Sequence, residues 1–302
     1  MYHYIRNFNL QIPYFNFLHK KNFNKQIFLF KDNLLKINET FENFINSKNK
    51  ILLSFDDGLK DHYYVFKILK KYKYKGIFFI PSYPYLKKDF LDTHKIHLIL
   101  GRNKLEKILE GLRNIDVKID FKKVKFQEKN YQIKDAKNLD ERKKIFVKIY
   151  LNFFLKKNKR KAISKLFNFF FKKKIQKRIL KNFYLSEKNI LEMHKEGMII
   201  GGHSYSHKLL KSLNLKEQKI EIEKNLKHLN KLTKTKLSFF AYPYGGKSSY
   251  NTNTIKILRQ NKVKYIFDTG DKVITKKTNF NFIPRINCNK FSYGKIYKYN
   301  ND

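Results

Sequence analysis

Tryptophan is absent from this 302-residue chain, and cysteine, methionine, proline and glycine are scarce, at 1, 3, 5 and 11 residues. The single cysteine, Cys288, excludes an intrachain disulfide framework and leaves no thiolates for a closed structural zinc site. Long apolar runs are missing as well: no stretch approaches the length of a membrane-spanning helix. Met1 to Lys20 has neither a sustained apolar run nor a small-residue cleavage site, so it does not read as a secretory signal. Together these absences predict a cytoplasmic protein, peripheral to a membrane surface at most.

Acidic residues are few too, 25 against 67 Lys and Arg, for a formal net charge of +42. Such charge attracts phosphate-rich partners, either nucleic acid or an anionic membrane. It is also what an AT-rich genome imposes, since Lys, Asn, Ile, Phe and Tyr all abound. The lysines run along the whole chain, whereas a nucleic-acid footprint is clustered. Compositional drift is the better account, and no nucleic-acid partner is expected. What is present fits a packed protein: 42% of residues are hydrophobic and 16% aromatic. The length admits one large α/β domain or two small ones.

Residues 1–48 are aromatic and polar with weak periodicity, and read as an N-terminal extension packed on the core. Ile51-Leu52-Leu53-Ser54-Phe55 then reads as a buried strand running into Asp56-Asp57-Gly58. Val65, Ile68 and Leu69 recur at helical spacing before a second strand, Gly76 to Ile80, closes at Pro81. This β-loop-α-β unit predicts a parallel sheet. A Lys-rich segment at about 101–183 shows helical periodicity (Ile145, Ile149, Phe154, Ile163, Leu166, Phe167) and reads as a helical insertion. Its basic stretch 156–181 suits either an anionic membrane or, the favoured reading, a solvated face with the aromatic side packed inward. Order returns with Ser186 as N-cap, an apolar stripe at Ile190, Leu191 and Met193, and a stop at Gly197. Met198-Ile199-Ile200 is the next strand and runs into Gly201-Gly202-His203. A helix at about 216–232, strand 237–241, a helix near 252–261, strand 263–267 and a last strand near 282–286 complete the pattern. Strands alternating with helices predict an α/β architecture, a barrel.

Three clusters sit where strands end, which is where α/β folds gather catalytic groups. Asp56 and Asp57 are adjacent carboxylates free to point apart, one to ligate a cation and the other to take a proton from an activated water. Judged alone, Asp-Asp-Gly is equally a common turn. His203 and His207, four apart, are expected on one helical turn, where both imidazoles can share a divalent ion. Two His and one Asp leave open positions, as a catalytic site requires. Phe240-Ala241-Tyr242-Pro243-Tyr244-Gly245-Gly246 forms either a rigid, ring-lined loop suited to a sugar face or an ordinary turn with packed tyrosines.

Taken in order, Phe55-Asp56-Asp57-Gly58, His203-Ser204-x-x-His207 and the Tyr-Pro-Tyr-Gly loop resemble the motif series of the polysaccharide deacetylases, the NodB-homology or carbohydrate esterase family 4-like proteins. The likeness covers roughly 50–95 and 184–286. It implies a distorted (β/α) barrel over 49–300. Asp56 would be the general base, and Asp57, His203 and His207 the ligands of one divalent metal ion, zinc. Ser204 would order the histidine loop, and the Tyr244 backbone N–H would help hold the oxyanion, with Tyr242, Pro243 and Gly245 supporting. The reaction implied is hydrolysis of an N-acetyl (or O-acetyl) group on a sugar of a surface polysaccharide or its precursor.

Two departures stand out. Many relatives carry an arginine bracing the base where this chain has Ala241, and a Leu-x-His motif near the C-terminus supplies their general acid. Here the corresponding strand reads Phe282-Ile283-Pro284-Arg285-Ile286-Asn287, and no histidine follows His228. Arg285 suits bracing an acidic group but is too basic to act as an acid. His94 is a candidate substrate ligand or acid, against the simpler reading of a surface histidine. The substrate expected is an acetylated amino-sugar glycan or its precursor, and the absence of a leader points to a cytoplasmic step on a nucleotide- or lipid-linked intermediate. The alternatives are a glycan-binding protein that lost catalysis on the same fold, and a basic nucleic-acid-binding protein.

Overall fold

The computed structural model describes residues 1–119, 139–155 and 158–297. It divides into two compact units. The first comprises Met1–Asn7, Phe17–Asp89 and Leu180–Ile296, and the second is built on Phe8–Asn16 and Phe90–Ile179. Residues 1–48 are therefore shared between units, with 8–16 in the second.

In the first unit, β1 (Ile5–Arg6) pairs in parallel with β2 (Phe17–His19). The main sheet has five strands: β3 (Leu53–Asp56), β4 (Gly76–Ile80), β5 (Ile199–Gly202), β6 (Phe239–Ala241) and β7 (Tyr265–Phe267). They lie side by side in chain order, all parallel. Parallel neighbours need crossovers, and helices Asp61–Lys71, Glu187–Lys195, Leu215–Thr233 and Thr252–Gln260 supply them. Both faces of the strands are covered, which is why β3 and β4 are buried at every position. Phe55 and Phe78 stack with ring centroids 4.8 Å apart in the core on the helix side.

The sheet curls until its two edges meet. On the outer edge of β3, Tyr2 donates its N–H to Ser54 O (2.8 Å) and accepts from Asp56 N (3.0 Å). On the outer edge of β7, Ile283 donates to Ile266 O (2.9 Å) and accepts from Asp268 N (2.8 Å). Between these edges, Cys288 N donates to Met1 O at 3.1 Å. Buried Gln26 seals the seam: Nε2 donates to Cys288 O, and Oε1 accepts from the Tyr2 hydroxyl, both at 2.9 Å. This is the expected distorted barrel, with its backbone edges satisfied rather than exposed. The last strand, expected near 282–286, shrinks to a single bridge at Ile283. Beyond it, Asp268 O accepts from the Arg285 side chain at 3.1 Å instead of from a backbone N–H.

Helix 187–195 begins at Ser186, whose side chain accepts from Asn189 N in a capping box, and Gly197 follows its end at φ 82°. The expected 216–232 helix runs Leu215–Thr233.

In the second unit, Phe8–Asn16 forms turns, and the rest is carried by helices Asp92–Arg102, Leu105–Asn114, Leu139–Ile149 with a π-helical turn at Tyr150–Phe154, Lys159–Phe170 and Lys173–Lys181. Phe167 packs against Phe90 and Phe171, and helix 159–170 buries Ile163, Leu166 and Phe167 while Lys161 and Lys165 are exposed. Helix 173–181 buries no residue. No helix among the described residues is long and apolar enough to cross a membrane.

Candidate active site

The carboxyl ends of β3, β5, β6 and β7 carry the chemistry. β3 ends at Asp56, and the chain then turns through Asp57 at φ 80° and Gly58 at φ 61°. That left-handed step sends the two carboxylates apart. Asp56 Oδ1 lies 2.6 Å from Arg285 Nη1. Asp57 Oδ1 lies 3.5 Å from His203 Nε2 and 3.3 Å from His207 Nε2. All three residues of the second group are buried, and one ligand atom from each falls within 4.8 Å of the others.

The donor set fits a divalent ion. His203 Nδ1 faces Ala241 O at 2.8 Å, which assigns that nitrogen the proton and leaves the Nε2 lone pair turned to Asp57. Two imidazole nitrogens and one carboxylate oxygen leave further coordination positions open.

The histidines do not share a helical turn. Residues 203–209 form a loop in which Ser204 and His207 adopt left-handed φ values of 59° and 56°. His207 N donates to Ser204 Oγ at 3.0 Å, and this tight turn brings the rings to 4.9 Å between centroids. A spacing of four serves a turn as well as a helix, so the spacing alone did not decide.

Helix 215–233 pins that loop with residues that sequence reading passed over. Asn225 Oδ1 accepts from His203 N (3.0 Å), while its Nδ2 donates to Ile80 O (2.9 Å). Glu221 accepts from Ser206 N at 2.7 Å and also from Ser206 Oγ. Their signal was polar side chains inside an apolar stripe made by Ile222, Leu226 and Leu229.

Arg285 is the brace that Ala241 cannot be. Besides gripping Asp56, its Nε donates to Asp268 O at 3.1 Å and its guanidinium lies 5.2 Å from the centre of the Phe79 ring. Burial by itself pushes the Asp56 carboxyl up, but Arg285, His203 and His3 together outweigh it and hold the group at about 2. Asp56 is thus ionised at neutral pH. Its other oxygen, Oδ2, lies 3.9 Å from Nε2 of His3, a residue the sequence did not single out.

After β6, Tyr242 is almost fully buried and stacks on Tyr250 at 4.1 Å, with its hydroxyl donating to Asn281 O. It is a packed support, not a platform for a sugar ring, and Pro243 beside it is buried too. Tyr244, at φ 69°, sets its ring edge-on to His207 at 4.7 Å. Asp268, at the end of β7, accepts from Gly246 N, Thr269 N and the Tyr250 hydroxyl, and so fixes the loop that carries Tyr244 and Gly245. His94 belongs to the second unit, fully buried on helix 92–102, with its ring 6.0 Å from that of His97. Burial excludes the surface-histidine reading.

A family model described as polysaccharide deacetylase matches residues 153–266, a span holding the histidine loop and the Tyr-Pro-Tyr-Gly loop but not Asp56 and Asp57. Among solved structures, the fold is similar to the Streptococcus pyogenes deacetylase PplD in complex with acetate: 16% identity, 95% of this chain and 89% of that one, TM-score 0.56. It is similar also to BC0361, a polysaccharide deacetylase from Bacillus cereus (16% identity, 95% and 62% of the two chains, TM-score 0.52). IcaB from Ammonifex degensii is a third (14% identity, 94% and 88%, TM-score 0.52). No curated protein matches the sequence. The curled parallel sheet is the fold that the chain shares with these three structures.

Proposed function

We propose that this chain, a member of the polysaccharide deacetylase family by its motifs, its family-model match and its fold, is a metal-dependent hydrolase. It removes N-acetyl (or O-acetyl) groups from a sugar of a polysaccharide or its precursor. The observation that carries this reading is the division of labour between adjacent carboxylates. Asp56 is held ionised by Arg285, while Asp57 faces two imidazoles whose ligand atoms lie within 4.8 Å.

Asp57, His203 and His207 would hold one divalent ion, zinc in this reading, which when bound supplies polarisation of the acetyl carbonyl and acidification of water. The chain's own residues do the rest. Asp56 takes the proton of the attacking water as its oxygen bonds to the carbonyl carbon. The backbone N–H of Tyr244, held by Asp268 and the Gly245-Gly246 turn, faces the oxyanion. Arg285 keeps Asp56 ionised and fixed. The C–N (or C–O) bond then breaks and acetate departs. An acetylated amino-sugar, free in a glycan or nucleotide- or lipid-linked, is the substrate class; the basic composition suits the phosphate of a linked precursor. A glycan-binding protein that lost catalysis would not need the buried Asp56–Arg285 pair, which favours the enzyme.

The test is elemental analysis of the purified chain beside Asp57→Ala and His203→Ala, together with acetate release from N-acetylated chitooligosaccharides and nucleotide-linked amino sugars. About one zinc-like ion per wild-type chain, lost in both variants, with acetate release from either substrate, is the expected result. A wild type that holds no metal after reconstitution sinks the reading.

A further inference from the structure

We propose that His3 is the proton donor to the leaving nitrogen, brought into the site by the N-terminal segment; this rests on the deacetylase reading above. An amide nitrogen does not leave as an anion, so the bond can break only if a proton arrives. Arg285 cannot supply it, because a guanidinium does not give up its proton near neutral pH.

The first unit's other histidines are committed elsewhere. His203 and His207 face Asp57. His62 is fully buried, with Nε2 2.9 Å from His3 O. His19 accepts from Lys21 N at a helix start. His194 faces Thr235, and His228 stacks on Tyr85 beside Glu187. His3 remains, and it is the histidine 3.9 Å from Asp56 Oδ2. Arg285 occupies Oδ1, so His3 stands at the carboxylate's other oxygen. Its side chain is 41% exposed against 3% for Asp56, which lets it meet substrate where Asp56 meets water.

The placement is built, not incidental. Tyr2 pairs with β3 at Phe55, so the next residue falls at the strand's catalytic end. His62 grips His3 O from below, and Asp61 accepts from Ile5 N at 3.1 Å and from Arg6 Nε at 2.8 Å. The contact with Asp56 is longer than a hydrogen bond, as such contacts commonly are before substrate binds.

The arrangement closes a proton circuit. The attacking water loses a proton to Asp56 as its oxygen bonds to the acetyl carbon. That proton passes from Asp56 Oδ2 to His3 Nε2, and from His3 to the nitrogen as the C–N bond breaks. The products are acetic acid, which ionises to acetate, and the free amine. Asp56 is left ionised and His3 neutral, ready for the next turnover.

The experiment uses the full chain reconstituted with zinc and compares two substrates. N-acetylated chitooligosaccharide has a leaving group that needs a proton; 4-nitrophenyl acetate has one that does not. His3→Ala and, as a second variant matched in size and polarity, His3→Gln are expected to lose about 10²–10³-fold in kcat on the amide. The loss on the ester should be at least about 30-fold smaller, with metal content and melting temperature near wild type. Equal loss on both substrates, or full amide activity in either variant, overturns the role of His3. A wild type that hydrolyses neither overturns the deacetylase reading and this proposal with it.

Discussion

Arg285 Nη1 and Asp56 Oδ1 meet at 2.6 Å across 229 positions of the chain, and both are buried. Removing one partner of a buried pair leaves the other charge uncompensated, so Arg285→Ala should destabilise the fold by about 3–5 kcal/mol. It should also raise the Asp56 carboxyl, moving the acid limb of the pH–rate profile upward. Arg285→Lys keeps the charge without the planar fork and should restore the acid limb better than the rate. Thermal unfolding and kcat/KM between pH 4 and 8 measure both; an unmoved limb in Arg285→Ala would mean another group keeps Asp56 ionised.

Acid unfolding reads the same pair independently. Asp56 sits at about 2 when folded against an ordinary 3.8, so the unfolded chain binds this proton more tightly. The ionised group therefore adds stability that is complete above about pH 4 and vanishes as pH falls through 2. On the order of 2 kcal/mol should disappear across that window. Asp56→Asn should remove that share of the slope in urea titrations at stepped pH.

Asn225 offers a test of the histidine loop away from the metal ligands. Asn225→Ala orphans His203 N and Ile80 O, both buried, at a cost of about 1–3 kcal/mol. Metal affinity should weaken about 10–100-fold, since supporting hydrogen bonds orient the ligand. Competition with a chelator of known affinity measures it, and an unchanged affinity would show that Ser204 and the Glu221–Ser206 contacts suffice to set the loop.

Gly245 and Gly246 separate strain from collision. Both are left-handed, at φ 67° and 77°, but a Cβ on Gly245 would fall 2.4 Å from Thr269 Cγ2 while one on Gly246 meets nothing within 4 Å. Gly245→Ala should push the Tyr244 backbone out of line and lower kcat by about 10²-fold with metal still bound. Gly246→Ala should lose far less. Matching losses in the two would assign the effect to backbone strain.

Metal should stabilise the folded chain detectably. At an ion concentration 100 times the dissociation constant, the gain is about 2.7 kcal/mol. Differential scanning calorimetry with and without chelator should show it in the wild type and not in His207→Ala; equal melting temperatures for the chelated and loaded wild type would contradict the fit at Asp57.

Much of this site was legible before the fold was known. Asp56, Asp57, His203 and His207 stand at the ends of apolar runs, and the alternation of periods placed those ends on one side of a parallel sheet. Arg285 was legible as a brace, but its partner was not, because nothing local ties it to Asp56. Glu221 and Asn225 were hidden in a helix whose stripe reads as ordinary core. Tyr242 had the right composition for a sugar platform, yet composition does not say which ring is buried. His3 lay in a segment of weak periodicity that pairs with β3 through a single bridge at Tyr2, too short to leave a strand pattern.

The seam between Tyr2, Cys288 and Ile283 also sets a timetable. A nascent chain emerging from the ribosome presents Asp56 and Asp57 first, His203 and His207 next, and Arg285, the partner of Asp56, after all of them. Contacts separated by so much chain form slowly, because the entropy of closing the loop is spent before any of them forms. The ligands of the ion can therefore gather while the acid–base half of the site is still incomplete. On the proposed function, metal uptake and catalytic competence would be successive events in the maturation of each molecule, separated by the closing of the seam that joins Tyr2 to Cys288 and Ile283.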